Sequence, residues 1–321
     1  MPFVSYAQNF EDVMLWRVLK HIEIGFYIDV GANDPENHSV TKAFYDRGWR
    51  GMNIEPVPQW IERLREARPR DINLQIAASK ENGEILLYEL TDTGLSTSDI
   101  ATAERHELEG GYKKEAHRVP TETLTSLCQR YHVAPIHFLK IDVEGAEKDV
   151  LSGLDLSTIR PWVILVESTL PLSQVENYGE WESLLLKEEY EFVYFDGLNR
   201  YYVAREHGDL SKYFLIPPNV FDGFITHAQH SREIRVQELE ERARSMEVHG
   251  QQLEEIARSL EVQVQQLELR KQEAEANSNE WHFIAESLQR RLQSIYSSYS
   301  WRLTTPFRVA QRLLTGDRTV V

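Results

Sequence analysis

Phe26-Tyr27-Ile28-Asp29-Val30-Gly31-Ala32-Asn33-Asp34-Pro35-Glu36 decides how the first two-thirds of the chain is read. An apolar run, Phe26 to Ile28, leads into Asp29, Val30 and Gly31, and signals for a helix start follow at once. Asp34 suits an N-cap and Pro35 the first helical position, where a missing N–H costs nothing. Val40, Ala43, Phe44 and Arg47 continue at helical spacing, and Gly48 stands where a left-handed C-cap is expected. Strand, tight turn and helix in that order form the unit that binds nucleotide-like ligands at the carboxyl edge of a parallel sheet.

Outward from this stretch, acids recur at the ends of apolar runs. Met52 to Ile54 ends in Glu55, Ile136 to Ile141 in Asp142 and Glu144, and Trp162 to Val166 in Glu167 and Ser168. All of these fall on the rim where doubly wound folds place ligands. Gly31 lets the backbone approach a ligand while Asp29 offers a carboxylate, which suits a cationic group better than a pyrophosphate. Glu55, at the second strand tip, is placed to bind a ribose diol. A ligand with ammonium, sulfonium and ribose, S-adenosylmethionine, fits this pair of acids. Ala32, Asn33 and Asp34 do not supply the glycine fingerprint that a nicotinamide cofactor needs.

Composition narrows the class. A net charge of −16 over 321 residues disfavours a nucleic-acid role driven by phosphate attraction. The single cysteine, Cys128, excludes an internal disulfide framework, is compatible with a reducing cytosol, and is expected as a buried small hydrophobe. MPFVSYAQNF lacks the features of a signal peptide, and runs such as Trp162 to Val166 are too short to span a bilayer. These features predict a soluble, cytoplasmic protein. The 11 histidines form no ligand-spaced cluster, so zinc is not expected.

Residues 6–22 read as a helix whose polar opening, Gln8, Asn9, Glu11 and Asp12, is explained by end capping. A helix carrying Trp60, Ile61 and Leu64 follows Glu55. Asn73 to Ala78 and Glu84 to Leu90 read as strands, residues 91–118 as an irregular substrate-side lid, and Leu124 to Tyr131 as a helix. Glu191 to Ala204 forms two strands around Asp196-Gly197-Leu198-Asn199, a hairpin. The fold class expected is α/β: a mostly parallel, Rossmann-like class I methyltransferase sheet finished by an antiparallel hairpin.

Residues from about 5 to 205 resemble the FkbM family of S-adenosylmethionine-dependent O-methyltransferases. The motifs that carry the resemblance are SYAQNFED, FYIDVGAND, GMNIEP, TGLST, FLKIDVEGAE and FDGLNRYYV. The resemblance implies S-adenosylmethionine as donor and a hydroxyl acceptor, on a glycan or a small molecule. It implies Asp29, Gly31 and Asn33 at the methionine end, Glu55 on the ribose and Ala77 near adenine. Asp34-Pro35 stands where many members have a further glycine.

Methyl transfer to an aliphatic hydroxyl calls for alignment and a positioned base. Asp142 is the first choice of base and Glu144 the second, with Lys140 on the same strand face as Asp142 and able to hold it ionised. Two other readings of the acids are a divalent cation gathered by Asp142, Glu144 and Glu167, and a purely structural cluster. Glu167, Asn199 and Arg200 are placed to touch the acceptor. Two rival functions are a non-catalytic adaptor built on a degenerate methyltransferase domain and a nicotinamide-dependent dehydrogenase.

Beyond Pro217-Pro218 the pattern changes. Leu239, Met246, Leu253, Leu260, Leu267, Ala274, Trp281, Leu288 and Ile295 recur every seven residues, with Val236, Ala243, Gly250, Ala257 and Val264 three residues before the first five. This seam predicts a left-handed coiled coil over residues 229–297, a rod of roughly 90 Å that joins copies of the chain into a homo-oligomer. Residues 298–321 read as a basic amphipathic tail, with 6 arginines from Arg290 onward against Asp317. The tail suits the inner surface of a membrane or an acidic partner, and is similar to the SxSWRLTxPxR tail of bacterial glycan-assembly proteins. The domain division expected is therefore 1–220, 229–297 and 298–321.

Overall fold

A computed structural model describes residues 2–90, 96–97, 114–170, 173–273, 280–304 and 306. The chain forms two compact units, Met1–His227 and Ala228–Val321.

Strict alternation sets the central sheet of the first unit. Along β2 (Phe26–Val30), Ile28 and Val30 face one side and Tyr27 the other, and both sides are buried. β2 pairs in parallel with β3 (Arg50–Ile54), and β3 with β4 (Ile72–Leu74). On its other edge β2 pairs with β9 (Phe138–Ile141), and β9 with β10 (Val163–Glu167), again in parallel. The hairpin β11 (Tyr190–Phe195) and β12 (Asn199–Ala204) closes the sheet, with β12 antiparallel to β10. The order is β4-β3-β2-β9-β10-β12-β11, seven strands, parallel except for that hairpin. The expected sheet is present.

Helices cover both faces. Ile28, Val30, Leu139, Ile141, Ile164 and Val166 pack on α4 (Leu124–Tyr131), α5 (Glu147–Ser152) and α6 (Glu182–Lys187) through Leu127, Cys128, Val150, Leu151 and Leu185. On the other side Tyr27, Phe138, Leu165 and Tyr201 meet Met14, Leu15 and Val18 of α1 (Glu11–Leu19) and Phe44 of α2 (Lys42–Asp46). Burying each such side chain contributes about 1.5–3 kcal/mol. α3 (Pro58–Ala67) follows β3, with Ile61 and Leu64 inward.

Several local expectations are corrected. The first helix spans only Glu11–Leu19, because Phe3–Ser5 forms β1 beside β13 (Phe224–Thr226) and Phe10 adopts a left-handed φ of 62°. No helix starts at Asp34: its carboxylate accepts from the Glu36 and Asn37 N–H groups at 2.8 and 2.9 Å, and α2 begins only at Lys42. The cause is Arg68, fully buried, whose guanidinium donates to Pro35 O, Ser39 Oγ and Thr41 Oγ1. Residues 35–41 wrap that cation instead of winding into a helix. Asn73 to Ala78 is likewise not one strand, since the chain leaves the main sheet after Leu74.

Ala77–Ala78 (β5) joins a second sheet with β6 (Gly83–Leu90), β7 (Ser96–Thr97) and β8 (Lys114–Glu122), in the order β5-β8-β6-β7. Part of the segment expected as an irregular lid is therefore strand: Lys114 to Arg118 pairs with Leu90 to Leu86. Residues 91–95 and 98–113, the rest of that lid apart from β7, lie outside the described residues.

The second unit is helical. α7 (His227–Glu273, the first residue shared with the other unit) and α8 (Glu280–Ser297) do not continue as one rod. Lys271 approaches His282 at 3.3 Å, Tyr296 bonds Glu261, and a Cβ on Gly250 would lie 3.4 Å from Thr304. That order of pairs is antiparallel. The heptad seam is used within the chain: Gly250, Ala257 and Leu260 are buried, with Ala285, Leu288, Leu292 and Ile295 half-buried. Val236, Leu239 and Met246, on the same seam, stay exposed. Ala274 and the 307–321 part of the tail lie outside the described residues. Among the described residues, no helix is long and apolar enough to cross a membrane.

Candidate functional site

The parallel strands end level, which brings their acids to one rim. Val30 lies opposite both Ile54 and Ile141, so Gly31, Glu55 and Asp142 follow side by side. The Gly31 N–H donates to Ile54 O at 3.0 Å and the Asp142 N–H to Val30 O at 3.1 Å. Gly31 has φ 75°, a left-handed conformation that glycine adopts without strain. Over this rim lies a cavity of about 610 Å³, within the ~300–1,000 Å³ range of ligand sites.

One end of the cavity is apolar, lined by Trp60, Ile76, Ala77, Ile85 and Leu87, so the second sheet serves as its wall. Next to it stand Gly31, Asn33 and Glu55. The Glu55 carboxylate accepts from the Asn33 N–H and the Val57 N–H, both at 2.9 Å, which fixes its rotamer and leaves each oxygen a lone pair. Burial pushes Glu55 up from 4.5 to about 7, against the pull of those two bonds.

The opposite end is acidic: Glu11, Asp142, Glu144 and Glu167 line it, with Gln8 and Asn199. Asp142, Glu144 and Glu167 each place a carboxylate oxygen within 4.8 Å of the others. Burial first, then repulsion from Asp142, raises both Glu144 and Glu167, and Glu167 also shares a hydrogen bond with Asp142. Both glutamates are thereby held toward their neutral forms. Lys140 sits beneath the trio of acids, 3.2 Å from Asp142 Oδ2 and 3.4 Å from Asp29 Oδ1, and donates to Gly31 O at 2.9 Å. Burial pulls the ammonium down, but Asp142 and Asp29 outweigh it and the net shift is upward.

The structure brings Gly31, Asn33, Glu55, Ala77, Lys140, Asp142, Glu144, Glu167 and Asn199 to the cavity and leaves two expected residues away from it. Asp29 is buried behind the rim, where it accepts from Thr41 Oγ1 at 2.7 Å and pairs with Lys140, so it acts through Lys140 rather than on a ligand. Arg200 points to the far side of β12. It stacks between Tyr178 and Phe192, at 3.8 and 3.9 Å from their ring centroids, and pairs with Glu176 and Glu182.

Two lining residues, Gln8 and Glu11, are assigned by the sequence to helix capping and have a larger part. Glu11 accepts from Asn199 Nδ2 at 3.0 Å and from the Asn9 N–H at 2.9 Å, and Asn9 Nδ2 donates to Asp196 O. Burial, with Asp196 nearby, lifts Glu11 from 4.5 to about 7. Asp12, its neighbour, holds the entering chain by accepting from Ser5 Oγ and the Tyr6 and Ala7 N–H groups. The signal was an adjacent acid pair where one acid suffices for a cap.

A level rim of glycine and acids on a sheet of this order, with an apolar slot at one end, is compatible with a methyltransferase fold. The chain belongs to the methyltransferase FkbM domain family, whose model matches residues 29–194. Such a domain implies S-adenosylmethionine as the methyl donor, and the residues present fit it: the Gly31 turn without a side chain, the carboxylate of Glu55 beside it and an apolar slot. No curated protein matches the chain.

Proposed function

We propose that the chain is an S-adenosylmethionine-dependent O-methyltransferase acting on a hydroxyl group of a sugar or glycan. The observation that carries this reading is one continuous cavity with the Gly31–Glu55 rim and apolar slot at one end and the Lys140-anchored carboxylates at the other. When bound, the donor supplies an electrophilic methyl on a sulfonium. Glu55 would hold the ribose, Asn33 and the Gly31 turn the methionine end, and Ala77 with Ile85 and Leu87 the adenine.

Asp142 is the base. Lys140 Nζ lies 3.2 Å from its Oδ2, whereas burial and repulsion from neighbouring acids hold Glu144 and Glu167 toward their neutral forms. Asp142 would accept the proton of the acceptor hydroxyl, whose oxygen would receive the methyl group that the bound donor supplies. Asn199 gives both Nδ2 hydrogens to Glu11 and Asp196 and Glu167 shares a hydrogen bond with Asp142, so these two side chains would orient further hydroxyls of a polyol as acceptors, through their oxygens. An acidic acceptor end repels phosphorylated acceptors and suits neutral ones. The geometry of the trio supports a second reading, a divalent cation polarising the hydroxyl, which loss of turnover on chelation would favour.

The test is calorimetric titration with S-adenosylmethionine, followed by incubation of labelled donor with cell glycans. Binding and transfer of label to a glycan hydroxyl are expected, and Asp142→Asn is expected to bind donor but not turn over. Failure to bind donor would overturn the reading in favour of the adaptor role.

A further inference from the structure

We propose that residues 215–221 form a rigid apolar finger that inserts into the interface of a lipid bilayer. Leu215, Ile216, Val220 and Phe221 are 80, 57, 86 and 95% exposed. Isolated exposed apolar side chains are ordinary, but four large ones within seven residues of one loop are not.

The loop is not loose. Arg17 of α1 reaches into it and binds both carboxylate oxygens of Asp222, at 2.7 and 2.6 Å. The same guanidinium donates to the carbonyls of Tyr213, Ile216 and Pro217. Asn219 Oδ1 accepts from the Phe221 N–H at 3.0 Å, Asp222 Oδ2 accepts from the Asn219 N–H at 2.7 Å, and the Asp222 and Gly223 N–H groups are bonded within the turn. Pro217 and Pro218 carry no N–H at all.

The carbonyls of Ile216, Pro217, Asn219 and Val220 and the N–H groups of Asn219 and Phe221 are thus answered within the protein, while the apolar side chains stand exposed. That is the condition for placing irregular backbone at a membrane interface, where an unanswered N–H or C=O is costly. A protein partner would have to supply a concave groove for tips this exposed; a bilayer yields to them. The flank suits anionic headgroups: Lys20 lies close enough to act on Asp222, and the Lys212 ammonium is 5.0 Å from the centroid of the Tyr213 ring, an aromatic beside the tips. This inference is independent of the methyl-transfer reading.

The test uses the full chain with vesicles of phosphatidylcholine, alone and with phosphatidylglycerol. Co-sedimentation with the mixed vesicles is expected. The pair Leu215→Ser and Phe221→Ser should weaken it by about tenfold or more, while Ile24→Ser, at an exposed residue elsewhere, should not. A second variant, Phe221→Cys, can be labelled selectively with an environment-sensitive dye because Cys128 is buried. Its emission should shift to the blue on adding vesicles, which tests the finger even if the double variant fails to fold. No blue shift, or equal binding by the double variant, would overturn the proposal. So would a smaller solution mass for that variant with vesicle binding unchanged, since the patch would then be a protein contact.

Discussion

Gly31 faces the main-chain carbonyl of Asp142 so closely that a Cβ at residue 31 would lie 1.8 Å from its oxygen. The contact joins the turn that should hold the donor to the residue that should accept the proton. Gly31→Ala must therefore move β2 against β9 as well as strain a positive φ. It is expected to destabilise the first unit by about 2–4 kcal/mol, read from urea unfolding, and to abolish donor binding.

Lys140 is the charge that lets Asp29 and Asp142 coexist under the rim. Lys140→Met leaves Asp29 buried without its cation and should cost about 3–5 kcal/mol in unfolding experiments. Combining it with Asp29→Asn should recover much of that loss, because the stranded charge is gone. A double variant no more stable than Lys140→Met would show that the pair is not the source.

Donor affinity should depend on pH through Glu55. Its value is raised to about 7 by burial, and its ionised form is the better acceptor for ribose hydroxyls. Affinity is expected to strengthen as pH rises through about 7, and Glu55→Gln should bind weakly with a flat profile in calorimetry.

Glu11 predicts a stability effect of definite sign. Its folded value is raised from 4.5 to about 7, so the folded chain holds this proton more tightly than the unfolded one. The stability it contributes is complete below its ordinary value and is lost as pH rises through about 7. Glu11→Gln should therefore show a smaller fall in thermal midpoint between about pH 5 and about pH 8 than the unaltered chain.

In the helical unit, Gly250→Ala should add about 0.5–1 kcal/mol, since the new methyl meets Thr304 at ordinary contact distance. Circular dichroism during heating measures it. Leu239→Glu with Met246→Glu, on the exposed part of the seam, should lower the mass seen by light scattering if copies of the chain pair there.

Strands β2, β3, β9 and β10 of the parallel sheet, the hairpin and helix 124–131 were legible because apolar runs, turn residues and acids agreed there, whereas β4 was read too far along the chain. Three things were not. The path after Gly31 depends on Arg68, a buried cation some 30 residues away whose partners no local pattern reveals. The second sheet was hidden because its pairing joins Ile85 to Val119 across a long, polar interval. Asp29 and Arg200 sit where sequence puts site residues, yet alternation along a strand tells only which face a side chain takes, not whether Lys140 or Tyr178 already occupies it. Part of the heptad seam is buried in this chain, at Gly250, Ala257 and Leu260, but a seven-residue repeat does not say whether a matching helix comes from another chain or from the same one.

The antiparallel pairing of α7 and α8 fixes where Thr304 sits. Beside Gly250, it lies roughly 35 Å along α7 from His227, at mid-shaft. Matched insertions of whole heptads, one after Gly250 in α7 and one in α8, would lengthen the far end and leave Thr304 beside Gly250. Cargo, label or binding partner attached there would keep its station however long the shaft became.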